Sequence, residues 1–364
     1  MLSSIPAILI SVIVLSIIVI IHEFGHFIVA KRSGILVEEF AVGMGPVLFS
    51  RQMGETVYSL RAFPIGGFCR MLGEEDTEKT SERSFGSKGV WARIAVIAAG
   101  PFMNFVLAMV LIICIVSTTI VVKPEVVELS AGYPAEAAGM KPGDVIKKIN
   151  EKNVYIYDDV QMIMAENTGE PVKVEVLRNG RTMEFTITPK LDENGSGRYL
   201  MGFTPLIKSG MFLQEENRNG YEKAGLWDTI TYSFDTMVFY VRYTAMGLAK
   251  VFTFHASKEE ISGPIGIFQI VGDSYEAGIE HSIGAAVQNI LYIGAVLSAN
   301  LGVLNLFPIP AMDGGRLVFL FLEAIRRKPV NPEMEGRVHF AGFVFLMAFM
   351  VFIMYNDITK IFIG

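Results

Sequence analysis

The chain has 364 residues, 51% hydrophobic and only 19% charged, too apolar a balance for an ordinary soluble protein. A formal net charge of -6 with no basic stripe argues against nucleic acid as a partner. The cysteines, Cys69 and Cys114, stand on separate segments, so both read as free thiols rather than a disulfide framework.

The first element is an uncharged run from Met1 to Ile21, matching the roughly 20 residues that cross a bilayer as a helix. It lacks a basic leader and a small-x-small cleavage site, so it reads as a span rather than a signal peptide. Directly after it comes His22-Glu23-Phe24-Gly25-His26, an HExxH pattern. On a helix, residues four apart share a face, so both imidazoles can reach one metal ion. Glu23, one place along, can hold and deprotonate an activated water as a general base. Ionisable groups at that depth are expensive and read as functional.

Between Val37 and Met71, Gly43-Met44-Gly45-Pro46 and Phe63-Pro64-Ile65-Gly66-Gly67-Phe68 flank an extended stretch through Val57, Ser59 and Arg61. This mixture predicts β-hairpins dipping into the membrane edge near the metal, with an open strand edge for an unwound substrate. A second span is predicted over Ile94–Val122, with Asn104 near its start.

The stretch from Val122 to Leu206 predicts a soluble domain. Val172, Val174 and Val176 alternate with polar residues, Asn179-Gly180 turns, and Met183, Phe185 and Ile187 alternate again, the pattern of a type I′ hairpin. Pro142-Gly143-Asp144 turns into Val145-Ile146, and Asp158 to Glu166 predicts a short helix capped by an acidic residue. From Gly220 to His281 the chain is amphipathic and aromatic-rich, with charges at Arg242, Lys250, Lys258, Glu259 and Glu260, as for a segment on the outer membrane surface.

The third charge-poor run, Ser282–Met312, exceeds one span and is broken by Pro308 and Pro310; the fourth is Val338–Asn356. Non-helical backbone survives at depth only where protein or water covers it, so the break is a candidate site. Gly294, Ser298 and Gly302 form a small packing face. Basic residues fall between spans one and two (Lys31, Arg32, Arg51, Arg61, Arg70, Lys79, Arg83, Lys88) and between three and four (Arg326, Arg327, Lys328, Arg337). The positive-inside rule places both loops in the cytoplasm and the middle segment outside.

A catalytic zinc needs a third protein ligand. Asp313 is the candidate, aimed inward by prolines before it and Gly314-Gly315 after it; the alternative is an interfacial aspartate at a helix end. His255, His281 and His339 read as solvated or interfacial. Asn104 and Asn305 either bridge helices or face a substrate.

His22-Glu23-Phe24-Gly25-His26, Gly100-Pro101-Phe102-Met103-Asn104 and Asn305-Leu306-Phe307-Pro308-Ile309-Pro310-Ala311-Met312-Asp313-Gly314-Gly315 together resemble the site-2 protease family of intramembrane zinc metalloproteases, peptidase family M50. Their order, with Ser262-Gly263-Pro264-Ile265-Gly266, is similar to the bacterial regulator-of-sigma-E protease branch. The resemblance implies one Zn2+ per chain bound by His22, His26 and Asp313, with Glu23 as base. It also implies that Asn104, Asn305, Pro308 and Pro310 position substrate. Residues 133–144 resemble a PDZ signature, which implies a carboxylate-binding loop at Leu200, Met201, Gly202 and Phe203. Some relatives carry two such domains in tandem; this chain has one.

The expected fold is a mainly α-helical polytopic membrane protein with four transmembrane helices, a membrane-associated β-hairpin loop and an inserted extracytoplasmic α+β PDZ domain. The expected divisions are 1–121 and 282–364 as membrane halves, 122–206 as PDZ domain and 207–281 as a juxtamembrane segment. The expected function is hydrolysis within single-pass membrane proteins, such as anti-sigma factors or signal-peptide remnants. Its place is the bacterial cytoplasmic membrane, with the active site near the cytoplasmic face. A non-catalytic PDZ scaffold and a metal-ion transporter are the alternatives.

Overall fold

In the computed structural model, which describes residues 5–74, 81–192, 197–213, 220–253, 255 and 263–363, the opening apolar run is helix α1 (Ile5–Arg32). Residues 1–4 and, among those singled out above, Lys79, Lys258, Glu259, Glu260 and Ser262 lie outside the described residues. The chain divides into two compact units, Met1–Leu111 with Tyr240–Gly364, and Ile112–Phe239.

After α1 come β1 (Val37–Met53) and β2 (Thr56–Met71). Instead of separate hairpins they form one long, bulged hairpin folded on itself: Phe40 stands opposite both Cys69 and Tyr58, and Ala41 opposite both Phe68 and Ser59. Residues 37–42 thus lie between two stretches of β2, satisfying their backbone groups on both sides. Val37, Phe40, Cys69 and Met71 join Ala30 of α1 and Val96 of the next helix in a buried core. That helix is α2 (Val90–Thr118).

The second unit is built on a six-stranded sheet. Its elements in chain order are β3 (Ile120–Leu129), α3 (Pro134–Ala137), β4 (Val145–Ile149), β5 (Lys152–Asn153), α4 (Tyr157–Ala165), β6 (Val172–Arg178) and β7 (Arg181–Ile187). A two-stranded ribbon of β8 (Lys190–Leu191) and β9 (Tyr199–Leu200) follows, then β10 (Phe203–Ser209). The sheet order is β10-β3-β4-β6-β7, with β5 beside β4. Asn179 and Gly180 both have positive φ, as a type I′ turn requires. Val172, Val174 and Val176 alternate into the core beneath Val160 and Ile163 of α4. Helix α4 begins one residue earlier than expected, and Ile156, not an acid, is its N-cap. The acid acts from inside the first turn, where Asp159 Oδ2 accepts from the N–H groups of Tyr155 and Ile156 at 2.8 and 3.2 Å.

Within the stretch 207–281 the described residues form the end of β10 and two helices, α5 (Leu226–Phe252) and α6 (Pro264–His281). α6 belongs to the first unit, because its small residues admit close neighbours: Gly278 abuts Ala286, and Ser11 of α1 donates to the Phe268 carbonyl at 3.2 Å. Asp357 caps its start, accepting from Gly263 N–H at 3.1 Å and Gly266 N–H at 2.9 Å.

The third charge-poor run forms α7 (Ile283–Leu306), N-capped by Ser282, whose hydroxyl accepts from Ala285 N–H at 3.0 Å. After the break a separate amphipathic helix that the charge pattern did not disclose, α8 (Asp313–Arg326), begins at Asp313, and α9 (Pro332–Ile363) follows. Among the described residues, four helices are long and apolar enough to cross a membrane: Ile5–Arg32, Val90–Thr118, Ile283–Leu306 and Glu333–Thr359.

Candidate metal centre

His22 and His26 sit one turn apart on α1, both buried, with ring centroids 4.9 Å apart. Crossing α2 approaches so closely that a Cβ on Gly25 would lie 2.3 Å from the Ala99 carbonyl oxygen. This contact brings the Val96 carbonyl to His26 Nδ1 at 2.9 Å. A carbonyl only accepts, so Nδ1 carries the proton and Nε2 keeps its lone pair.

The matching constraint on His22 comes from Asn104, fully buried on α2, whose amide nitrogen is 3.1 Å from His22 Nδ1. Its Oδ1 has no partner. With the amide turned by a half-turn, Oδ1 accepts from a protonated Nδ1 and Nε2 is again free. Asn305 Nδ2 stands 3.5 Å from the same ring nitrogen, and Ser298 donates to the Asn104 carbonyl at 2.8 Å.

The break between α7 and α8 brings in the carboxylate. Asp313 Oδ2 lies 3.2 Å from His22 Nε2 and 3.4 Å from His26 Nε2, and the two Nε2 atoms are 3.3 Å apart. Ligands at zinc distances of 2.0–2.1 Å in a tetrahedron stand about 3.3 Å from one another, so this triangle has the dimensions of one tetrahedral face. Three lone-pair atoms turned on one another with their protons held elsewhere call for a cation. No other group of three or more metal-binding side chains occurs among the described residues.

Glu23 lies beside this triangle, and it and Cys69 of β2 face the same space. Both border a polar cavity of about 490 Å³, walled also by Glu38, Phe68, Arg70, Glu74 and Arg316. Phe68 is flanked by the guanidiniums of Arg61 and Arg70, 4.8 and 5.3 Å from its ring centre. Both pair with Glu39 of β1. Burial pushes the Glu39 carboxyl up, but Ser59 and the two guanidiniums outweigh it and hold it below its usual range. Arg316 of α8 pairs with Glu74 at the cavity wall.

Asn104, Asn305, Pro308 and Pro310 do not line the cavity. Both asparagines turn toward His22, because a buried imidazole needs a partner for its second nitrogen. Pro308 is exposed at the break, and Pro310 packs on Gly342 of α9. In the second unit, Leu200 is exposed on β9, Met201 is buried in the core, Gly202 has φ +86°, and Phe203 opens edge strand β10. The carbonyls of Met201 and Gly202 accept from the N–H groups of Ala135 and Ser130 at 2.9 and 3.0 Å.

His339, expected to be solvated or interfacial, is partly buried and accepts the Ala311 N–H on Nδ1 at 2.9 Å. Gly25 and Gly100 also escaped the sequence reading, although a glycine inside a spanning helix is a signal of close approach. The Val96 carbonyl leaves no sequence signal at all.

The sequence profile of peptidase family M50 matches residues 10–349. A protein named as a zinc metalloprotease in Clostridium acetobutylicum is 36% identical over 353 residues, covering 97% of each chain. A similarly named protein of Clostridium perfringens is 36% identical over 344 residues, covering 94% of this chain and 96% of its own. The regulator of sigma-W protease RasP of Bacillus subtilis is 30% identical over 434 aligned positions, covering 97% of this chain and 98% of its own.

Proposed function

The chain belongs to peptidase family M50 and is a zinc metalloprotease, and from that premise we propose that it hydrolyses peptide bonds within or beside the transmembrane segments of single-pass membrane proteins. His22, His26 and Asp313 hold the zinc, and Glu23 is the general base. The observation that carries this reading is the triangle of Nε2, Nε2 and Oδ2 with edges of 3.2–3.4 Å.

A zinc ion bound there supplies Lewis acidity toward the scissile carbonyl and makes water nucleophilic near neutral pH. Glu23 takes the proton released from the attacking water and passes it to the leaving amine. Val96 and Asn104 hold the imidazoles through their second ring nitrogens. An intact helix hides its carbonyls, so the substrate must unwind locally, and residues 67–71 beside Glu23 offer it a strand edge.

The second unit acts as a PDZ domain, on the support of its sheet order, the 133–144 segment and edge strand β10 after the Gly202 turn. Phe203 of β10 and Tyr157 of α4 meet edge to face at 6.1 Å, at the place where a peptide end would lie between strand and helix. Basic loops after α1 and α8 put those ends in the cytoplasm and the second unit outside a bacterial cytoplasmic membrane. Its substrates are anti-sigma factors or signal-peptide remnants already trimmed outside. The name of the RasP relative, a regulator of sigma-W protease, fits the first class.

The test is cleavage of a model single-pass substrate by the detergent-solubilised protein. Glu23→Gln should abolish cleavage with zinc retained. Asp313→Asn should lose both, and a chelator should silence the wild type until zinc is restored. Cleavage by Glu23→Gln at the wild-type rate would refute the assignment.

A further inference from the structure

On the reading that Asp313 is a zinc ligand, we propose that His339 of α9 is a positioning residue for the metal centre, acting through the backbone that carries Asp313.

Ala311, two residues before Asp313, has φ +73°, a left-handed conformation that side-chain-bearing residues avoid. Such a conformation persists only where its surroundings impose it. The imposing contact is the Ala311 N–H donated to His339 Nδ1 at 2.9 Å. The Phe319 ring of α8 packs against the same imidazole with centroids 5.6 Å apart. His339 therefore grips the chain on both sides of Asp313, at the loop before it and on the helix after it.

Accepting at Nδ1 leaves the neutral ring's proton on Nε2. That atom is buried without a hydrogen-bond partner, and its nearest acid is Glu335, at 3.9 Å. One turn further along α9, Gly342 makes room for Pro310: a methyl there would stand 2.2 Å from Pro310 Cβ. One face of α9 thus holds both Pro310 and Ala311. Without this hold the 309–312 turn is free to leave the left-handed region, and the start of α8 swings the Asp313 carboxylate off the imidazoles.

The test measures zinc affinity by competition with a chromophoric chelator, together with the absorption spectrum of the cobalt-substituted protein. Asparagine can place its Oδ1 where His339 has Nδ1, whereas glutamine reaches the Nε2 position. His339→Asn should stay within about threefold of wild-type affinity, and His339→Leu and His339→Gln should lose about tenfold or more. The cobalt bands should shift only in the latter two.

Gly342→Ala supplies an independent variant that displaces Pro310 with His339 intact, and it should weaken zinc likewise. His339→Leu binding zinc as tightly as wild type would overturn the proposal, as would His339→Asn failing like leucine. A wild-type protein without zinc affinity would overturn the metal reading itself. Normal wild-type binding with indifferent His339 variants would sink this inference alone.

Discussion

Gly100 lies directly under His26: a methyl group on its Cα would stand 2.3 Å from Nε2 and, on the neighbouring ring, 2.8 Å from His22 Cε1. The space beneath the imidazoles therefore belongs to the rings, and α2 can cross α1 there only with hydrogen at that position. Gly100→Ala is expected to push the rings apart, with an overpacking penalty of about 2 kcal/mol and loss of bound zinc. Metal analysis of the purified variant checks this, and a full zinc complement would contradict it.

Asn104→Ala is expected to lower zinc affinity about 10–100-fold by leaving His22 Nδ1 without its orienting amide. Zinc-saturated enzyme should then show a lower kcat with KM little changed. A raised KM with normal zinc affinity would return Asn104 to a substrate-facing role.

In the second unit, Arg178 meets Asp144 through two hydrogen bonds, of 2.6 and 2.7 Å. Burial pushes the Asp144 carboxyl up, but Arg178 and the Lys141 N–H more than offset it and hold it below the usual range. A carboxylate depressed on folding contributes stability above its unfolded pKa and loses it as pH falls toward the lower folded value. The second unit should therefore loosen below about pH 4. Asp144→Asn should destabilise it at neutral pH by about 3 kcal/mol and flatten that acid response. Hydrogen exchange in peptides covering 172–187 reads both effects, and an unchanged acid response in the variant would contradict the assignment.

Asp357→Ala should release the start of α6, because the N–H groups of Gly263 and Gly266 lose their acceptor. A lost cap of this kind is worth about 1–2 kcal/mol, seen as faster exchange confined to the first turns of α6. Unchanged protection there would show that the carboxylate is dispensable.

Local spacing was legible in the sequence, and convergence between distant segments was not. HExxH puts two imidazoles on one face whatever surrounds them, Asn179-Gly180 dictates its turn, and Pro308 with Pro310 ends α7 near where it does end. The aim of Asn104 depends on how α2 crosses α1, which no periodicity encodes. The charge pattern ended the third run at Met312 and left 313–326 unassigned, yet it is a helix that starts at Asp313. His339 looked like an end-of-span histidine because its partner is a backbone N–H, and a backbone group has no letter in the sequence. The helices within 207–281 were not legible because aromatic, amphipathic composition suits a membrane surface and a packed helix equally well.

Asp313 stands far downstream of the imidazoles it meets, at the head of α8. A ribosome makes His22, Glu23 and His26 before it makes Asp313. The growing polypeptide thus holds a base and two donors but no closed coordination triangle.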